Sequence, residues 1–226
     1  MSGLSKIAAR AAESGLAVLG GFHPGEGDAA PQGCATLLLF GPSGHGMWDS
    51  FTASREFSDG EPHPLDRWSK RTLDALASAC GGAAVFPSDR PYPPFISWAM
   101  KTGRCWQSPV GLLVHDTEGL LVSFRGALAL PERLALPEPR AGRPCEGCPQ
   151  RPCLTACPVS ALGAGSYDTR ACHGHLASGN GEDCMTRGCS VRLACPVGRG
   201  GRPAAQHAFH MRAFHRTGTG NHRRER

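Results

Sequence analysis

Eight of the chain's eleven cysteines lie between Cys145 and Cys195, a window of 51 residues; Cys34, Cys80 and Cys105 are scattered outside it. This clustering restricts the fold more than any other feature of the 226 residues. The window opens with CEGCPQRPCLTACPVSAL, a C-x2-C-x4-C-x3-C-P run. In a secreted chain such density suggests disulfides, whereas in a reducing compartment clustered thiols are metal ligands. Thiolates are soft donors that suit iron–sulfur clusters. A four-iron cluster takes four of them, so eight is the number that two clusters require.

In two-cluster ferredoxins the fourth cysteine of a run, the one before proline, reaches across to the other cluster. Two such pairs occur here, Cys157-Pro158 and Cys195-Pro196. The rule assigns Cys145, Cys148, Cys153 and Cys195 to one [4Fe-4S] cluster and Cys157, Cys172, Cys184 and Cys189 to the other. The spacing departs from the bacterial run in its second gap, where PQRP (149–152) intervenes. A loop between two ligands can bulge outward without moving either sulfur. The later run, CMTRGCSVRLACP, is looser still, and Cys172 in YDTRACHGHL supplies the remaining ligand. A four-cysteine zinc site, which also uses C-x2-C, is the alternative.

Charge is divided unevenly. Residues 1–139 carry 11 Lys and Arg against 14 Asp and Glu, and residues 140–226 carry 13 against 5; the halves, −3 and +8, sum to the whole-chain +5. A basic half invites a nucleic-acid reading. However, an oxidised four-iron cluster with its thiolates carries about −2, so two of them balance roughly half of that excess. Nucleic acid is therefore not an expected partner. The chain has no apolar run long enough to span a bilayer and its start lacks a signal-peptide pattern, so a soluble, cytoplasmic protein is expected.

Residues 1–130 alternate helix and strand signals. A helix is expected over Ser5–Ser14, and CATLLLF (34–40) reads as a buried strand, leading into the Gly-rich turn GPSGHG. A helix opens at Pro64 with Leu65, Trp68, Thr72, Leu73, Leu76 and Ala77 on its apolar face. GLLVHDTEGLLVSF (111–124) reads as a β-hairpin whose second strand RGALAL extends. Four prolines between Pro131 and Pro144 mark a linker. These signals give a front domain (1–130), a linker (131–144), a two-cluster domain (145–200) and a basic His/Arg-rich tail (201–226). The tail reads as a solvated terminal helix followed by HRRER.

The cysteine segments CEGCPQRPCLTACPVSAL, YDTRACHGHL and GCSVRLACPVG resemble the ferredoxin module of epoxyqueuosine reductases. The front half, through AARAAESGLAVLGGFHP, HPLDRWSKRTLDALA and SPVGLLVHDTEGLLVSFRGALALP, resembles the cobalamin-binding domain shared by three groups. These are epoxyqueuosine reductases, reductive dehalogenases and the animal cobalamin-processing protein of the type C disorder. The resemblance implies an α+β fold, a nitroreductase-like α/β sandwich followed by a small dicluster ferredoxin-like domain.

It also implies an iron–sulfur electron-transfer protein that reduces or processes a bound cobalamin, as a cobalamin-dependent or cobalamin-reducing oxidoreductase. Its partners would be an electron donor (a reductase, flavodoxin or ferredoxin) and cobalamin or a cobalamin-dependent enzyme. The corrinoid-site candidates are His45 in the Gly-rich turn and Trp98; their plainer readings are a turn residue and a core aromatic. No catalytic residue is assigned. The alternatives are a plain dicluster ferredoxin with a partner-binding front domain, and a truncated tRNA-modifying reductase. The second is weakened because no helical-repeat segment follows the cysteines.

Overall fold

The computed structural model describes residues 3–42, 44–138, 142–198 and 201–221. In chain order the elements are α1 (Gly3–Ala12), β1 (Leu16–Phe22), β2 (Thr36–Pro42), α2 (Gly46–Thr52), α3 (Arg55–Ser58), α4 (Pro64–Ala79), β3 (Ala83–Val85), α5 (Phe95–Lys101), β4 (Cys105–Gln107), β5 (Leu113–His115) and β6 (Gly126–Leu130). They continue with β7 (Leu162–Gly163), β8 (Ser166–Tyr167), α6 (Thr169–Ala177), α7 (Glu182–Arg187), α8 (Ser190–Ala194) and α9 (Ala204–Asn221). The protein is thus mixed α+β with small antiparallel sheets. Among the described residues no helix is long and apolar enough to cross a membrane.

The chain forms two compact units, Met1–Cys105 with Ser123–Ala141, and Trp106–Val122 with Gly142–Arg226. This differs from the serial order expected from the sequence: residues 106–122 leave the front unit and join the cysteine-bearing one.

The first unit is built on a four-stranded sheet of order β1-β2-β6-β3, antiparallel throughout. All of β2 is buried, as its unbroken apolar run requires. α4 packs against β3 and β6. Pro64 stands at its first turn, and its buried face comprises Leu65, Trp68, Ser69, Leu73, Leu76 and Ala77. Ser69, not Thr72, completes that face, because its hydroxyl donates to the Leu65 carbonyl at 2.7 Å and needs no water. Burying Trp68 contributes about 2–3 kcal/mol relative to exposure. On the outer side Arg71 grips the buried carboxylate of Glu56 through Nε at 2.5 Å and Nη2 at 3.0 Å.

Two expectations for this region change. RGALAL does not extend a hairpin; β6 pairs with β2 and β3 instead. And residues 131–138, read as linker, are tied to the first unit's sheet. Thr36 Oγ1 donates to the Glu132 carbonyl at 2.8 Å and accepts from Leu134 N at 2.9 Å, while Leu134 itself is buried. Prolines predict extended backbone, but one threonine hydroxyl supplies the donor and the acceptor that hold it. Residues 139–141 of the expected linker lie outside the described residues.

In the second unit, Val110, Val114 and Leu120 from the 106–122 segment share one core with Leu162, Val191 and the thiols of Cys153 and Cys195. The expected 111–124 hairpin shrinks to β5 and a single bridge between His115 and Gly119. The His115 side chain, fully buried, closes the turn by accepting at Nδ1 from the backbone N–H groups of Thr117 and Glu118, each at 3.2 Å. α9 packs along α6 and α7, with Gln206 and Ala208 buried. The tail helix is therefore packed rather than solvated, and its Phe214 stacks on an aromatic ring of α6, as below. The HRRER end, residues 222–226, lies outside the described residues.

Candidate metal centre

The first group of thiols is assembled by three pieces of chain. Cys145 and Cys148 sit in a turn closed by Cys148 N donating to the Cys145 carbonyl at 3.4 Å. The PQRP insertion then reverses direction at Arg151, whose φ of 41° is left-handed. A short 3-10 turn, Pro152–Leu154, follows and carries Cys153 inward. That turn packs on α8, and Cys195 caps the C-terminal end of α8. The four cysteines line one hollow, partly open to solvent, together with Val114, Leu120 and four prolines. Burial pushes the Cys145 thiol up, and the nearby sulfurs of Cys195, Cys153 and Cys148 push it further. Cys153 is raised by burial and then by Cys195.

The second group has the same electrostatic signature. Cys172, on α6, is raised by burial; the Tyr167 hydroxyl opposes this, and Cys189, Cys157 and Cys184 add to it. Three of its sulfurs have hydrogen-bond partners. Ala161 N donates to Cys157 Sγ at 3.2 Å, Tyr167 OH donates to Cys172 Sγ at 3.7 Å, and Ser190 Oγ lies 3.8 Å from Cys184 Sγ. The Tyr167 ring stacks with Phe214 of α9, and Phe214 stacks on His173 with centroids 4.4 Å apart. The C-terminal helix thus contributes an aromatic cover beside Cys172.

Cys148, Cys153 and Cys195 thus lie near Cys145, and Cys157, Cys184 and Cys189 near Cys172, as two groups. They interleave along the chain, and α8 carries one member of each, Cys189 at its N-cap and Cys195 at its C-cap. A five-residue helix rises only ~7.5 Å, so the two groups are close neighbours.

Among the described residues no three His, Cys, Asp or Glu side chains converge on the position of a single metal ion. Tetrahedral zinc with ~2.3 Å bonds needs sulfurs within ~4 Å of one another. The first four cysteines instead line one hollow with apolar walls. Four soft thiol donors, apolar walls and a buried hydroxyl without a hydrogen-bond partner among the described residues, Ser108 Oγ, all fit an iron–sulfur cluster there.

Residues 106–122 are the part of this site that the sequence reading missed. A Cβ on Gly119, whose φ is +56°, would lie 2.2 Å from the Val197 carbonyl oxygen and 2.9 Å from Cys195 Sγ. A Cβ on Gly198 would lie 2.4 Å from the Glu118 carbonyl oxygen. The two turns touch backbone to backbone. Arg192 Nη1 donating to the Leu120 carbonyl at 2.9 Å and Arg202 paired with Glu118 at 3.3 Å fasten them. The signal available in the sequence was a glycine in each turn, DTEG and CPVG.

No protein-family model, curated protein or solved structure matches the chain. The corrinoid expectation therefore rests on the residues named for it. Trp98 is 1% exposed, packs on Phe95 and donates from Nε1 to the Asp28 carbonyl at 2.7 Å, so it is core. His45 is exposed ahead of α2, its carbonyl accepting from Trp48 N and Asp49 N. Of the scattered cysteines, Cys105 is buried while Cys34 and Cys80 are half-buried.

Proposed function

We propose that this chain is an iron–sulfur electron-transfer protein whose cysteine-bearing unit holds two four-iron clusters. The observation that carries the reading is the grouping of eight thiols into two interleaved sets of four, one of them lining a hollow. Bound there, such clusters supply one-electron carriage at a potential set by their surroundings. The chain's own contribution is to hold the thiolates, to exclude water from the first site with Val114, Leu120 and prolines, and to place Arg151 at its edge. Arg151 partly offsets the gathered negative charge on Cys145 and Cys153.

Anaerobic reconstitution followed by iron and acid-labile sulfide assay tests this. About eight of each per chain are expected. A colourless protein with about two zinc ions would overturn it.

The burial of Trp98 in the core of the first unit favours a carrier that docks a partner over one that processes cobalamin. Titration of the loaded protein with cob(II)alamin separates the two. An unchanged spectrum supports the carrier, and a saturable base-off shift restores the corrinoid reading.

A further inference from the structure

Ser108 lies outside every cysteine motif, in the segment that joins the second unit from between β4 and β6. Its backbone is held by a tight turn: Gly111 N donates to the Ser108 carbonyl at 2.9 Å, and Ser108 N donates to the Leu112 carbonyl at 2.9 Å. Pro109 and Gly111 suit the second and fourth positions of that turn. The side chain is thereby fixed in the wall of the hollow lined by Cys145, Cys148, Cys153 and Cys195. Only 6% of the residue is exposed, and among the described residues its hydroxyl has no hydrogen-bond partner. A buried hydroxyl left without a partner is destabilising, and such groups are uncommon in folded proteins. The hollow offers it few alternatives, since Val114, Leu120, Pro144, Pro152, Pro196 and Val197 present no side-chain acceptor.

We infer that the Ser108 hydroxyl is a hydrogen-bond donor to the group held by Cys145, Cys148, Cys153 and Cys195, and that it sets the reduction potential of that site. The inference rests on the iron–sulfur reading above. Its physical basis is simple: reduction adds one negative charge to the group, a donor stabilises the more negative state, and the potential rises. At the second site the donors are protein groups already seated on sulfur, with Tyr167 on Cys172 and the Ala161 amide on Cys157. At the first site the donor is in place and its acceptor is what fills the hollow. Ser108 is a positioning and tuning residue here, not a ligand, because four thiols already line the hollow.

The test compares wild type, Ser108→Ala and Ser108→Thr as full-length, anaerobically loaded protein, with iron content measured first. In a redox titration followed by electron paramagnetic resonance, Ser108→Ala is expected to lower one midpoint and leave the other in place. The expected fall is about tenfold in the reduced-to-oxidised ratio at fixed poise, about 59 mV for a one-electron couple. Ser108→Thr, which keeps the hydroxyl, is expected to restore it. An exchangeable-proton coupling to the reduced group, seen on transfer to deuterium oxide, should disappear in Ser108→Ala alone. Equal iron with both midpoints and the proton coupling unchanged would overturn the inference and leave the function intact. A wild-type protein that takes up no iron would sink both, and the iron assay tells the two failures apart.

Discussion

Gly119 and Cys195 are 76 positions apart in sequence, yet a single methyl group on Gly119 would stand 2.9 Å from the Cys195 sulfur. The turn carrying Gly119 is thus part of the wall that seats the last cysteine of the first group. Gly119→Ala adds that methyl at a φ of +56° and 2.2 Å from the Val197 carbonyl oxygen, so backbone has to move. Left-handed strain alone costs about 1–2 kcal/mol. The expected outcome is loss of the first group, with iron per loaded chain falling from about eight toward about four. Gly147→Ala is the control: it lies between Cys145 and Cys148, but its nearest neighbour is 3.9 Å away, and iron content should not change.

Glu56 gives the first unit an acid-sensitive anchor. The Arg71 guanidinium, against the opposing effect of burial, holds its carboxyl down at about 2, from an ordinary 4.5. A carboxylate depressed on folding contributes stability that is complete above its unfolded value and lost as pH falls through its folded one. The window is therefore from about 4.5 down to about 2. Glu56→Gln should cost about 2 kcal/mol at neutral pH, the value of hydrogen bonds to a charged group. Urea midpoints of wild type and Glu56→Gln should converge as pH is lowered through that window; a gap that stays constant would contradict the assignment.

Thr36 is expected to control protease access to the proline-rich segment. Thr36→Val removes both bonds to Glu132 and Leu134 while keeping the volume, at a cost of about 1–3 kcal/mol. Arg133 is exposed between those two residues. Trypsin should cut after Arg133 faster in the variant, with sites elsewhere in the first unit cut at unchanged rates.

Trp98 should behave as a core residue. Trp98→Phe deletes the hydrogen bond to the Asp28 carbonyl and part of the packing on Phe95, for a loss of about 1–3 kcal/mol measured by denaturant unfolding. Cluster content of the loaded protein should be unchanged. A variant of wild-type stability would mean that the indole does other work.

The grouping of the cysteines was legible because ligand spacing is a local property. C-x2-C places two sulfurs together whatever surrounds it, and a cysteine before proline marks where a run hands over to its neighbour. The buried β2 and the α4 helix were legible for the same reason, since periodicity and a proline at the first turn act within a few residues. The details that changed are those in which one side chain met a distant partner. Thr36 captured a segment that prolines alone would leave extended, and His115 closed a turn that alternation alone would read as a hairpin.

By itself the sequence determined the clustering of eight thiols between Cys145 and Cys195, and the strands and helices with strong local signals. Only the tertiary structure decided that residues 106–122 belong with those thiols, placing Gly119 against Cys195 and the Ser108 hydroxyl in the wall of the hollow. Val110, Val114 and Leu120 record in sequence that they will be buried, but hydrophobic burial is non-directional and carries no address. Which core they enter is settled by the backbone approach of two glycine turns and by Arg192 and Arg202 fastening them, contacts that exist only once the chain has folded.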